Sequence, residues 1–270
     1  KGGYTMNKKL ENILSILGSF VLKLSSTCGE TTVLFYRTLF WSFRARINGH
    51  NFFLQLQEMG ARTLPVTSLT LLFTGMVLAL QTGYAFIRVF NEPLYVGRLV
   101  SASIAKELGP VLTAVVFSGR VGAAVAAELG TMKVTEQIDA LYTLGTNPVR
   151  YLVVPRFLAA IIMLPLLVIY SDLLGIMGGY LVAHYRFDIP TELYFDEVYF
   201  LRLQDVCHGI LKSFGFAATI IMVSCYQGLS AKGGAEGVGR ATTQAVVISM
   251  VLVLVGDYFL TALLIALGIG

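Results

Sequence analysis

The sequence predicts an all-α integral membrane protein. Five transmembrane helices are preceded by an N-terminal amphipathic interfacial helix, and a short cytoplasmic helix lies between spans 2 and 3. Three observations carry this prediction. Of 270 residues, 56% are hydrophobic and only 13% charged, against about 25% charged in a typical soluble domain, which leaves too little polar surface to cover a water-facing globule. Five stretches reach the roughly 20 apolar residues that a helix needs to cross a hydrocarbon core. Lys and Arg gather in alternate connections, as they do in cytoplasmic loops.

In chain order, residues 1–5 precede Met6, the expected start, and read as an upstream remnant. Residues 6–62 form the interfacial region. Leu10, Ile13, Leu14, Leu17, Phe20, Val21 and Leu24 fall at helical spacing on one face, while Asn12, Ser19 and Lys23 face elsewhere. That stripe suits a helix lying in the headgroup plane; a re-entrant or packed helix is the alternative. Tyr36, Phe40, Trp41 and Phe43, interleaved with Arg37, Arg44 and Arg46, read as an interfacial anchor.

Residues 63–270 form the membrane domain, with spans near 63–88, 106–129, 153–184, 209–231 and 242–268. The first is uncharged between Arg62 and Arg88. The second, third and fifth each enclose one charge, Arg120, Asp172 and Asp257, and the fourth is uncharged between Lys212 and Lys232. The N-terminal region carries Lys8, Lys9, Lys23, Arg37 and Arg62; the loop after span 2 has Lys133, Arg150 and Arg156; the loop after span 4 has Lys232 and Arg240. The loop after span 3 is acidic, with Asp188, Glu192, Asp196, Glu197 and Asp205, and Pro190 followed by Leu193, Val198 and Leu201 predicts a short surface helix there. The N-terminus is thus expected inside and the C-terminus outside.

A charge inside hydrocarbon costs at least about 2.5 kcal/mol, so such residues pair or line a wet cavity. Arg120, Asp172 and Asp257 fall near mid-depth, and Arg120 is expected to contact Asp257 or Asp172, either as part of a gate or as a clamp fixing helix rotation. Small residues recur every fourth position at Gly119, Ala123 and Ala127, at Gly122, Ala126 and Gly130, and at Gly175 and Gly179. In lipid they permit close helix contact, inside a bundle or between subunits.

Between spans 2 and 3, Thr135 can cap a helix with Glu136 and Asp139 in its first turn and Val134, Ile138, Leu141 and Tyr142 on its apolar face. Gly145 and Asn147-Pro148 end it. Such a helix has the properties of a coupling helix seated in a partner's groove; one resting on the inner leaflet is the alternative.

Several functions are excluded. A phosphate-binding loop requires G-x-x-x-x-G-K-[ST], and no Gly-Lys pair occurs anywhere. His50, His184 and His208 are isolated, and Cys28, Cys207 and Cys225 are far apart, reading as apolar fillers without metal or disulfide. No basic run with interleaved aromatics stands on a polar surface, so nucleic acid is not expected as a partner. The chain is not expected to be an enzyme.

The run AKELGPVLTAVVFSGRVGAAVAAELG at 105–130 resembles the MlaE (YrbE-type) permease family. The likeness continues through Thr135-Glu136-Gln137, Asn147-Pro148 and Pro155-Arg156, and resumes at 239–243 and Gly256-Asp257. It covers about three quarters of the chain, from near Leu64 onward. The resemblance implies an ABC permease acting as a homodimer in the bacterial inner membrane. ATP and Mg would sit on a cytoplasmic ATPase partner, with no cofactor in this chain. It also implies an MCE-domain protein on the outer side, often a small STAS-domain subunit inside, and phospholipid as substrate. Glu136, Gln137, Asp139 and Leu141 would couple to the ATPase. Leu78, Gln81, Tyr84, Ile87, Phe90, Lys106 and Glu107 would line an outward-opening lipid cavity, with ordinary helix packing as the alternative for each. Lys106 stands where the family often has Arg. A proton-driven secondary transporter using Asp172 and Asp257, or a membrane anchor for a cytoplasmic partner, are the competing functions. Five spans without an internal repeat fit the former poorly.

Overall fold

The computed structural model describes residues 2–44, 49–90 and 95–268. Every regular element among them is a helix. Lys1, Arg46 and the side chain of Phe90 lie outside the described residues, as do the side chains of Leu10, Ile13, Leu14, Leu17, Phe20 and Leu24 in the predicted stripe.

Helix α1 runs Gly2–Arg44 and packs on the bundle through its second half. Phe35 meets Phe157 edge-on at 6.0 Å, Arg150 lies over the Trp41 ring at 5.6 Å, and Glu30 accepts a hydrogen bond from the Tyr226 hydroxyl at 2.9 Å. Tyr36 and Phe43 stay exposed. Helix α2, Gly49–Met59, turns through Gly60 into α3, Leu64–Phe90. Residues ahead of 63 therefore belong to the bundle as well: Met59 is buried in the same core as Leu164 and Leu167.

Five helical stretches are long and apolar enough to cross a membrane: Gly49–Val89, Val96–Val134, Val149–Phe187, Leu203–Leu229 and Gly234–Ala266. Each contains one of the five predicted spans or most of it. The second begins ten residues earlier than expected, because Arg98, Lys106 and Glu107 dilute its hydropathy without stopping the helix. At 39 residues it measures about 58 Å, far longer than a hydrocarbon core of about 30 Å, so it projects into the aqueous phase. It comprises α4 (Val96–Ser103), a wide π turn (Ile104–Leu108), α5 (Gly109–Phe117), a second π turn (Ser118–Gly122) and α6 (Ala123–Val134).

After α6 comes the short α7, Gln137–Thr143. A third π turn, Val149–Val153, leads into α8, Val154–Phe187. Then follow α9, Thr191–Tyr199, α10, Leu203–Leu229, and α11, Gly234–Ala266. Helix α9 is the predicted surface helix after Pro190.

Glycine sets the closest helix contact. A Cβ on Gly75 would collide with the backbone of Gly175, and one on Gly178 with the carbonyl of Leu72. Helices α3 and α8 therefore touch backbone to backbone, the geometry that small residues allow in lipid. Gly175 and Gly179, the G-x-x-x-G pair, both face neighbours within this chain: Ile104 for the first, and Val100 with the Tyr194 hydroxyl for the second. Two cores result. One, around Phe117, Phe157, Phe216 and Ile220, joins α5, α6, α8 and α10. The other, around Ala79, Val100, Ile104 and Tyr194, seats α9. Tyr194 is fully buried and donates to the Ile176 carbonyl at 3.0 Å. Burial, with the Glu197 carboxylate nearby, pushes its phenol well above the ordinary range, so it stays a neutral donor.

Candidate functional site

Polar residues concentrate where the first π turn of span 2 meets α10 and α11. Pro110 has no N–H to return to the carbonyl of Lys106 four residues earlier, and that oxygen accepts instead from Lys212 Nζ at 3.3 Å. Gly209 lets α10 approach, since a Cβ there would strike the Ala105 carbonyl. Lys212 is fully buried. Its ammonium lies 2.6 Å from Glu107 Oε2 and 2.9 Å from Asp257 Oδ1, the second an ion contact whose angle falls short of a hydrogen bond. Thr261 donates to the Asp257 carbonyl at 2.8 Å. Beside it, Lys106 pairs with Asp205 at 2.7 Å. His208 is buried near Lys212, Glu107 and Lys106, its Nδ1 without a hydrogen-bond partner among the described residues.

Two amines and three carboxylates from three spanning helices thus form two adjoining groups, Lys212 with Glu107 and Asp257, and Lys106 with Asp205. Lys212 is nine residues from the start of α10 and Asp257 nine from the end of α11, about 14 Å in from each. A site of this kind holds helices in fixed rotation, and it can exchange partners with a charged ligand.

The expected pairing of Arg120 with Asp257 or Asp172 is incorrect. Arg120 Nη1 donates to the Glu58 carbonyl at 3.0 Å and to Thr63 Oγ1 at 2.6 Å. It caps the last turn of α2, where a cation meets the negative end of the helix dipole. The reason is depth: Arg120 lies 13 residues beyond Glu107, about 20 Å along the same helix, out of reach of Asp257. Asp172 meets neither. It is buried against Gly109, where a Cβ would collide with its Oδ1, and that oxygen has no hydrogen-bond partner among the described residues.

Lys212, Asp205 and His208 were missed as site residues. The signal was present: they stand at i, i+3 and i+7 from Asp205, one face of a helix. Lys212 was instead taken as the edge of an apolar run.

The expected lipid-cavity residues divide into two groups. Lys106 and Glu107 belong to the cluster. On α3, Gln81 and Tyr84 are exposed, Ile87 is half-buried, and Leu78 packs on the second core. Tyr84 accepts from Arg186 Nη2 at 2.6 Å and meets Phe187 edge-on. The cavity that Lys106 lines includes none of these α3 side chains.

At the opposite end of the bundle, Thr135 does not cap α7. Its hydroxyl donates back to the Thr131 carbonyl, closing α6. Glu136 makes the turn at φ 60°, a left-handed conformation that few non-glycine residues adopt. Lys133 pairs with Asp139 at 3.0 Å, Ile138 is buried and Leu141 partly so. Glu136, Gln137 and Asp139 point outward, and Tyr142, expected on the inward face, is 61% exposed beside Leu144 at 77%. Gly145, at φ 71°, ends the helix, and Asn147 Oδ1 accepts from the Val149 N–H at 3.0 Å. Of the cysteines, Cys225 is a buried filler while Cys28 and Cys207 are exposed, and all three are free.

Comparison with known proteins places this arrangement. The family model for permease MlaE matches residues 52–263. A protein of Rickettsia typhi named as a probable ABC transporter permease is 42% identical over 256 residues, covering 94% of this chain and 98% of the relative. One from Synechocystis, named likewise, is 41% identical over 222 residues, covering 82% and 84%. The chloroplastic protein Trigalactosyldiacylglycerol 1 of Arabidopsis thaliana is 36% identical over 221 residues, covering 81% of this chain and 63% of its own length.

Proposed function

The chain belongs to the MlaE family of ABC transporter permeases, and from that premise we propose that its cargo is phospholipid, moved between the inner and outer membranes of a diderm bacterium. The α7 end of the bundle lies in the cytoplasm and the α9 end outside, in keeping with the basic connections at one end and the acidic one at the other. One observation carries the motor assignment. The chain has no phosphate-binding loop, yet α7 is braced by an ion pair and a buried isoleucine while Glu136, Gln137, Tyr142 and Leu144 are exposed to a partner. A cytoplasmic ATPase binds and hydrolyses ATP with Mg, and α7 receives its motion.

A homodimer accounts for α11. Only 11% of its most apolar window is buried in the single chain, against 67% in span 3, and Val247, Val251, Leu254, Val255 and Tyr258 are exposed on it. An MCE-domain protein receives or delivers lipid outside, and a STAS-domain subunit sits with the ATPase. Apolar side chains toward the outer end of α3 offer walls for acyl chains, and the Lys212 cluster offers charged groups that a headgroup can engage. The lipid name carried by the Arabidopsis relative supports this cargo.

The test is co-purification with the ATPase, followed by reconstitution in liposomes carrying a fluorescent phospholipid. Lipid-stimulated ATP hydrolysis with ATP-dependent lipid movement is expected. Movement driven by a proton gradient without ATP would replace this reading with a proton-coupled carrier, which the unpaired Asp172 oxygen favours.

A further inference from the structure

A polar cavity of about 210 Å³ opens beside the Lys212 cluster at the α9 end, between α4 and the α9–α10 connection. Arg98, Lys106 and Arg202 line it with a single carboxylate, Asp205. Both oxygens of that carboxylate are engaged: Oδ1 is 2.7 Å from Lys106 Nζ, and Oδ2 accepts the Arg202 backbone N–H at 3.1 Å. Neither Arg98 nor Arg202 is ion-paired among the described residues. The Arg98 guanidinium is steadied 5.4 Å from the Phe200 ring centroid. The first amides of α4 take no part, because Glu197 already accepts from Tyr95 N at 2.9 Å and Gly97 N at 2.8 Å.

Two guanidiniums without an ion pair among the described residues therefore face one small space. Their planar forks match the oxygens of a phosphate, which accepts two parallel N–H bonds from each. Among the described residues no free carboxylate lines the cavity to receive an ammonium, so a headgroup with net negative charge fits better than a zwitterionic one. Asp205 lies seven residues before Lys212, about 10 Å along α10. Lys106 belongs to both places, its side chain in the cavity and its carbonyl on Lys212.

We propose that this cavity is an anion station for the phosphodiester of a negatively charged lipid headgroup, placed one step outward of the Lys212 cluster. The proposal rests on the reading that lipid is the cargo.

The test uses the purified full chain in a neutral detergent, titrated calorimetrically with dihexanoylphosphatidylglycerol, dihexanoylphosphatidylcholine and inorganic phosphate. Arg98 and Arg202 are exposed, so R98Q/R202Q keeps the fold, as gel filtration checks. Phosphatidylglycerol is expected to bind at least about tenfold more weakly to R98Q/R202Q than to the unmodified chain, since each charge-assisted bond lost is worth that much. The R98K/R202K variant, which keeps charge but loses the fork, falls between them, and R240Q at the other end changes nothing. Phosphatidylcholine is expected to bind more weakly than phosphatidylglycerol, because Arg98, Lys106 and Arg202 repel its trimethylammonium. Equal binding of the two lipids overturns the station, as does undiminished phosphatidylglycerol binding in R98Q/R202Q. Phosphate binding that phosphatidylglycerol fails to displace rules out a lipid occupant. Lipid-stimulated ATP hydrolysis in the assembled complex, measured separately, decides the transport reading. If it persists while the binding result fails, only the station falls.

Discussion

Removing both carboxylates that face Lys212 is the sharpest test of the charge cluster. The ammonium is fully buried, 2.6 Å from Glu107 and 2.9 Å from Asp257, and its third contact is a neutral carbonyl at 3.3 Å. Glu107→Gln or Asp257→Asn alone leaves one counter-charge and costs about 1.5–3 kcal/mol, the scale of one charge-assisted contact. The double variant leaves a buried cation with no counter-charge and costs about 3–5 kcal/mol beyond the weaker single. In a chain of this size that lowers Tm by roughly 6–20 °C. Adding Lys212→Met to the double variant removes the stranded charge, and most of the lost stability returns. Fluorescence-detected size-exclusion after heating in one fixed detergent measures all five proteins. If the triple variant is no more stable than the double, Lys212 is not held by these two carboxylates and the cluster assignment is wrong.

Other substitutions probe the remaining assignments. Arg120→Gln removes the cation from the end of α2 and costs about 1–2 kcal/mol; because Arg120 and Asp257 do not touch, their combined loss should be additive within about 0.5 kcal/mol, and a larger coupling would restore the pairing rejected above. Gly178→Val drives a Cβ into the Leu72 carbonyl and should destabilise by about 3 kcal/mol or more, read as loss of the monodisperse peak; a normal elution profile would refute the α3–α8 backbone contact. Glu136→Lys, on an exposed turn, should leave the permease folded while the ATPase no longer co-purifies, and full retention with normal transport would remove the coupling role from α7. Glu136→Gly at φ 60° should relieve backbone strain of about 1 kcal/mol, seen as a small rise in Tm.

The amino-acid sequence determined the number of spans, the helix after Pro190 and the short helix between spans 2 and 3. Each rests on local properties: apolar run length, turn residues and helical spacing act on neighbours along the chain. The family likeness was equally legible, because it lies in a contiguous run at 105–130. Span edges were less so: Lys106, Glu107 and Lys212 looked like boundaries, yet the helices carry them inward because partners on other helices neutralise them.

Only the tertiary structure decided which charges meet. Whether Asp257 faces Arg120 or Lys212 depends on the depth and rotation of span 2, α10 and α11 relative to one another, and on two π turns that shift the register of span 2. Hydropathy along one chain contains none of these. Asp172, one of the two partners expected for Arg120 from its depth in the span, lies against Gly109 instead, and close packing there leaves its Oδ1 without a hydrogen-bond partner among the described residues.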